Sequence, residues 1–385
     1  VPVKPAPANA VVGATIEHDD ARTVMAFDLG GPVEASVRSL SNPPRVIVDL
    51  PETEFRLPEE ARSQASGLVK AYRYGLIDQG KSRIVIDTTD PVRVDRSEVV
   101  LAEAGGAFRL EIVMAKVTER ELAAVELAEA VRSIEPSAMV EAETKGRSGP
   151  PPRPVIVVDP GHGGIDPGAL GSQSSEKDLV LAVSRQIERA LLATGRYEVA
   201  MTRNRDVFVS LDERVAMSRR LSADLFLSVH ADSAPSRDRA PAIRGATIYT
   251  LAEQASDDLV RQKAEKENSV DLLAGLPAST IADDQVRNIL LDLMRRETQS
   301  FATDFRQTLV SSLRDRVLLA RDPIRSGPFK VLRQAGSPAV LLELGYISNA
   351  DDERIMQQPD WQARVASSIV RAIDAHFRDR TAARR

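Results

Sequence analysis

The stretch Val155-Ile-Val-Val-Asp-Pro-Gly-His-Gly-Gly164 decides how the chain around it folds. Its apolar, β-branched start predicts a buried strand, and the glycines after it predict a sharp turn that presents His162 at the strand's carboxyl end. Two other stretches share this shape: Leu225-Phe-Leu-Ser-Val-His-Ala-Asp232 ends its apolar run on His230, and Ala339-Val-Leu-Leu-Glu-Leu-Gly-Tyr346 ends its run on Glu343. In open α/β sheets, ligands gather at the carboxyl edge of the strands. Two imidazoles and a carboxylate collected there from distant parts of the chain point to a hydrolytic zinc site and not a structural one. The plainer alternatives are a turn histidine that bonds only backbone for His162 and a satisfied histidine at a core edge for His230. Glu343 is harder to dismiss, because a carboxylate in a buried strand is costly unless paired or coordinated.

Outward from this stretch, strands and helices alternate. Strands are expected at 155–159, 197–202, 224–230, 245–251 and 339–344, with helices at 176–194, 211–221, 285–316 and 360–378. That rhythm predicts a C-terminal α/β catalytic domain over 154–378, with a central mostly parallel or mixed sheet flanked by helices. The last residues, 379–385, read as a frayed tail.

Upstream the pattern changes. Residues 11–115 show short alternating runs broken by Gly, Pro and Asn-Pro turns, which predicts an N-terminal all-β sandwich. Within it Arg45-Val-Ile-Val-Asp49 is echoed by Arg83-Ile-Val-Ile-Asp87. The echo suggests two related half-sheets, although chance recurrence of so short a pattern is the alternative. Residues 116–134 read as a charged helix and 145–154 as a Pro/Gly linker, so 116–153 forms a connector. Residues 1–10 are Pro/Ala-rich and expected to be disordered.

Composition narrows the function. The net charge is −5 and aromatic residues make up only 4%, so neither a basic field nor a base-stacking platform points to nucleic acid. No apolar run reaches the ~18–20 residues that span a bilayer. The absence of cysteine rules out disulfides and a thiolate metal site. Only four histidines occur, and two of them end the runs above. The start at Val1, without Met, is compatible with a removed secretory signal or with trimming.

Four motifs taken together give a resemblance: Asp-Pro-Gly-His-Gly-Gly-Ile-Asp-Pro-Gly (159–168), Ser-Glu-Lys-Asp-Leu (175–179), Ser-Val-His-Ala-Asp (228–232) and Glu-Leu-Gly-Tyr-Ile-Ser-Asn (343–349). Over about 155–378 the chain resembles the zinc-dependent N-acetylmuramoyl-L-alanine amidases that split septal peptidoglycan. The resemblance implies one Zn2+ per catalytic domain held by His162, Glu176 and His230, with Glu343 as catalytic acid/base. Read alone, Glu176 follows the N-cap candidates Ser174 and Ser175, where an acidic residue simply favours the helix dipole. The resemblance further implies a periplasmic enzyme that cuts the linear amide between N-acetylmuramic acid and L-alanine during daughter-cell separation. Residues 11–115 are similar to the AMIN modules that target such enzymes to peptidoglycan.

The insertion at about 252–284 is charged and helix-prone, and it ends in a loop containing Asp283 and Asp284. A charge run is ordinarily a solvated helix. Some septal amidases carry a lid helix here whose carboxylate blocks the metal, and Glu267 matches that position as a regulatory residue. An activator protein that displaces the lid helix is then expected as a partner beside peptidoglycan. Two other readings remain: a zinc peptidase acting on stem peptides, and a catalytically silent wall-binding scaffold.

Overall fold

The computed structural model describes residues 9–19, 22–58, 64–78, 80–101, 108–122, 153–234, 242–276, 289–334 and 336–383. The chain divides into two compact units at Pro150 and Pro151. Most of the expected connector helix, residues 1–8 of the expected disordered start, and the loop with Asp283 and Asp284 lie outside the described residues.

The first unit is a two-sheet β structure. One sheet has the order β5-β1-β2-β9-β8, built from Glu54–Phe55, Ala10–His18, Arg22–Leu29, Phe108–Lys116 and Val92–Leu101. The other has the order β3-β4-β7-β6, from Ser36–Ser41, Pro44–Pro51, Lys81–Thr88 and Val69–Asp78. Period-two alternation explains the packing. Val46, Val48, Ile84 and Ile86 face the core with Met25, Phe27 and Ile112 of the other sheet. Register explains the repeated motif. Strands β4 and β7 are antiparallel neighbours, with Arg45 opposite Asp87 and Asp49 opposite Arg83. Each copy supplies the other's counter-charge: Arg45 Nε donates to Asp87 at 2.6 Å, and Arg83 Nε donates to Asp49 at 2.5 Å.

The second unit contains a six-stranded mixed sheet of order β11-β10-β12-β15-β13-β14. Its strands are β10 (Val155–Pro160), β11 (Glu198–Met201), β12 (Leu225–His230), β13 (Ala246–Leu251), β14 (Leu319–Gly327) and β15 (Ala339–Glu343). Strands β11, β10, β12 and β15 run parallel, and β13 is antiparallel to β15. The helices are α1 (Glu176–Ala193), α2 (Leu211–Arg220), α3 (Asp258–Asn268), α4 (Val270–Leu273), α5 (Ile289–Leu313), α6 (Ala350–Met356) and α7 (Pro359–Ala383). Side chains from one sheet face, such as Ile156, Leu227 and Leu342, pack in one core with Val183, Phe305 and Ile369 from α1, α5 and α7. Those from the other face, Val157, Phe226 and Leu341, pack with Leu211 of α2 and with Val260 and Ala264 of α3.

The sequence reading did not assign β14 or α6. Among the described residues strand β14 pairs only with β13, and its Arg-Asp-Pro-Ile-Arg run shows no alternation. Helix α6 is a short helix whose N-cap, Asn349, accepts from the amides of Asp351 and Asp352. Among the described residues, no helix is long and apolar enough to cross a membrane.

Candidate metal centre and acid/base

Parallel pairing in register brings two of the motif residues side by side, because β12 and β15 place His230 opposite Glu343. His162 arrives from the turn after β10 in a left-handed backbone conformation, φ 59°, which is costly for a residue with a Cβ. Two buried guanidinium groups hold that turn. Arg203 donates to the carbonyls of Pro160 and Gly161, and Arg214 donates to those of Pro160 and His162. Arg214 is itself fixed by the buried Asp159, which also accepts from Thr202 and Ser228. The glycines of the motif allow close approach: a Cβ on Gly161 would meet His230 Nε2 at 2.6 Å, and one on Gly168 would meet His162 Cδ2 at 2.7 Å.

Around this turn the candidate ligand atoms converge. Asp166 Oδ2 lies 2.7 Å from His162 Nδ1, which turns Nε2 towards the site. That Nε2 is buried without a hydrogen-bond partner and lies 3.1 Å from Glu176 Oε1. His230 Nδ1 is 3.2 Å from the same oxygen. Backbone amides hold Glu176 in place: Ala169 N donates to Oε2 at 2.8 Å and Ala231 N to Oε1 at 2.9 Å. From α3, Glu267 Oε2 approaches His162 Nε2 at 3.7 Å and His230 Nδ1 at 3.8 Å. His162, His230 and Glu267 bring one ligand atom each within 4.8 Å of one another. Ligand atoms on a tetrahedral zinc with ~2.0–2.2 Å bonds are ~3.3–3.6 Å apart, and the distances from the two imidazole nitrogens to the Glu176 and Glu267 oxygens, 3.1–3.8 Å, bracket that spacing with the right atom types. An orphaned imidazole nitrogen facing hard oxygen ligands is what such an ion needs.

The electrostatics agree. Burial pulls the His162 pKa down, but the carboxylates of Asp166, Glu176 and Glu267 outweigh it and hold the ring well above its ordinary value. Burial raises Glu176, yet the two imidazoles hold it well below the usual carboxylate range. A pocket of this kind favours positive charge between the histidines.

Glu343 occupies the other side. It is fully buried, and Oε2 accepts from the Asp232 amide at 2.8 Å. Its Oε1 faces the ammonium of Lys263 on α3 at 2.8 Å, and Asp232 Oδ2 holds the same ammonium at 2.7 Å. Burial, with help from Asp232 and Glu176 and opposition from Lys263 and His230, pushes Glu343 up to about 7, the range in which a carboxylate both takes and gives a proton near neutrality.

All five residues singled out in the sequence, His162, Glu176, His230, Glu343 and Glu267, therefore meet at one edge of the sheet. Sequence reasoning missed Asp166, Asp232 and Lys263. Asp166 follows His162 by four residues inside the same motif and Asp232 follows His230 by two, so both were visible as motif members but carried no role. Lys263 was one cation in a charge run, and only its place four residues before Glu267 hinted at a shared helix face.

The chain is similar to known proteins over both units. The family described as N-acetylmuramoyl-L-alanine amidase matches residues 156–375, and the AMIN domain matches residues 14–112. The chain is 29% identical over 355 residues to the N-acetylmuramoyl-L-alanine amidase AmiC of Escherichia coli O6:H1, covering 89% of this chain and 83% of that protein. It is 31% identical over 225 residues to AmiA of Escherichia coli K12, covering 58% of this chain and 76% of that protein. Among solved structures, AmiC2 of Nostoc punctiforme is 25% identical, with a TM-score of 0.42 over 59% of this chain and 98% of its own.

Proposed function

Because the chain belongs to the N-acetylmuramoyl-L-alanine amidase family, with an N-terminal AMIN domain, we propose that it is a zinc-dependent, lid-controlled enzyme of the periplasm. Its reaction is hydrolysis of the amide joining the lactyl group of N-acetylmuramic acid to L-alanine in peptidoglycan, in the service of cell separation. The observation that supports the zinc reading is that His162 Nε2, a buried nitrogen without a hydrogen-bond partner, and His230 Nδ1 approach the same Glu176 oxygen at 3.1 and 3.2 Å. Zinc, when bound, polarises the amide carbonyl and makes water a better nucleophile.

This chain's residues do the rest. His162, Glu176 and His230 would hold the ion, and Asp166 fixes the His162 ring so that Nε2 faces the site. Glu343 takes a proton from the attacking water and returns it to the departing nitrogen. Helix α3 serves as the lid, with Glu267 placed where it would compete for a bound ion and Val260 and Ala264 docking the helix into the sheet-face core. An activator protein that pulls α3 away is the partner this arrangement requires.

Mass spectrometry of digested sacculi tests the reading. Glu267→Ala should release free stem peptides and unsubstituted glycan faster than the unaltered chain. Glu343→Gln should cut release by roughly 10²–10⁴-fold while zinc stays bound. Shortened stems still attached to glycan would instead indicate a peptidase.

A further inference from the structure

Lys263 and Glu267 stand one helical turn apart on α3, so a single face carries an ammonium and a carboxylate into the site together. Both are buried, at 7% and 6% exposure. The carboxylate sits on the metal side, 3.7 Å from His162 Nε2. The ammonium sits on the acid/base side, 2.8 Å from Glu343 and 2.7 Å from Asp232. Hydrolysing an amide makes the same two ions. Water's oxygen bonds to the carbonyl carbon, the carbon–nitrogen bond breaks, and both water protons finish on nitrogen, the first by way of Glu343. A carboxylate and an ammonium remain.

We propose that the lid copies the bound products. Glu267 stands where the new lactyl carboxylate stands, Lys263 stands where the L-alanine ammonium stands, and Asp232 with Glu343 forms the leaving-amine site. The assignment rests on the zinc amidase reading above and adds Asp232 as a catalytic residue. The geometry of Asp232 suits that role, because the Ser233 amide fixes Oδ1 at 2.6 Å and leaves Oδ2 to meet the cation. Burying an ammonium is expensive unless its counter-charges are already in place. Once α3 leaves, two carboxylates share one pocket without their cation, an arrangement that favours the next amine to enter.

Calorimetric titration of the zinc-loaded full chain tests this. The probes are a stem tripeptide with a free N-terminal L-alanine and the same peptide N-acetylated. With the lid disarmed by Lys263→Met and Glu267→Gln, the free-amine peptide should bind at least tenfold more tightly than the acetylated one. Adding Asp232→Asn should erase that preference at unchanged zinc content. Equal binding of the two peptides by a lid-disarmed chain that holds zinc and releases stem peptides overturns the product mimicry alone. Lack of zinc, or of stem-peptide release, overturns the parent reading with it. The first comparison requires no change at Asp232 and stands even if that variant does not fold.

Discussion

The sandwich and the candidate metal site handle buried and half-buried charge in opposite ways. On the sandwich, each carboxylate of the repeat is closed by arginines of its own sheet: Asp49 by Arg83 and Arg38, and Asp87 by Arg45 and Arg73. These groups keep some solvent, with side-chain exposures of 29% for Asp49 and 20% for Asp87. At the candidate metal site the carboxylates are sealed, Glu176 at 1% and Glu343 at 0%, and the sheet itself offers them no lysine or arginine within ion-pair distance among the described residues. Their positive partners are two imidazoles and a lysine from α3. A charge set that closes within its own sheet is structural, whereas sealed carboxylates whose partners come from separate elements and whose pKa values are strongly shifted mark a candidate functional site.

Three substitutions sharpen that contrast, taken from the largest expected effect to the smallest. Asp166→Asn removes the charge that orients His162, and should weaken zinc affinity by about 10–100-fold in a chelator competition while leaving the fold intact. Unchanged affinity would mean that the ring is held by other contacts.

Glu353→Gln acts on the scaffold of the same site. The Glu353 carboxylate accepts from the amides of Ser172, Gln173 and Ser174 and from the hydroxyls of Ser172 and Ser174, bracing the loop that leads into Glu176. Burial raises its pKa, but these donors outweigh it and hold the group at about 2. A depressed carboxylate stabilises the fold above its unfolded value of 4.5 and loses that contribution as pH falls towards 2. Glu353→Gln should therefore cost about 2 kcal/mol in denaturant unfolding at neutral pH, allowing for solvent screening, and the cost should fade as the medium is acidified below about pH 4. A cost independent of pH would assign the loss to packing.

The smallest effect belongs to the sandwich. Asp49→Asn should destabilise by less than about 1 kcal/mol, and added salt should shrink the difference. A larger, salt-insensitive loss would show that the reciprocal arginine pairs hold the sheet together, and the contrast between the units would weaken.

Much of this was legible in the linear chain where local chemistry and long-range placement coincide. An apolar run that ends on His230 or Glu343 states both its strand and its edge, and parallel register then sets the two residues side by side. The echo of Arg45–Asp49 in Arg83–Asp87 suggested a sandwich with two similar halves, but both copies lie in one sheet, and their antiparallel register, which sets each arginine opposite the other copy's aspartate, is what the echo encodes. What stayed hidden depends on partners remote in sequence. Glu353 lies about 180 residues from the loop it braces. Lys263 looks like any cation on a charged helix until α3 is docked against Asp232 and Glu343. Strand β14 escaped because an edge strand with Pro323 needs no alternation to pair on one side.

The most direct measurement is anomalous diffraction at the zinc edge from crystals of the full chain. The account predicts one zinc per chain, bonded to His162 Nε2, His230 Nδ1 and Glu176, with Glu267 of the closed lid as the fourth ligand. A metal bound elsewhere, or a well-ordered centre in which these side chains bond only to one another in zinc-saturated crystals, would contradict it.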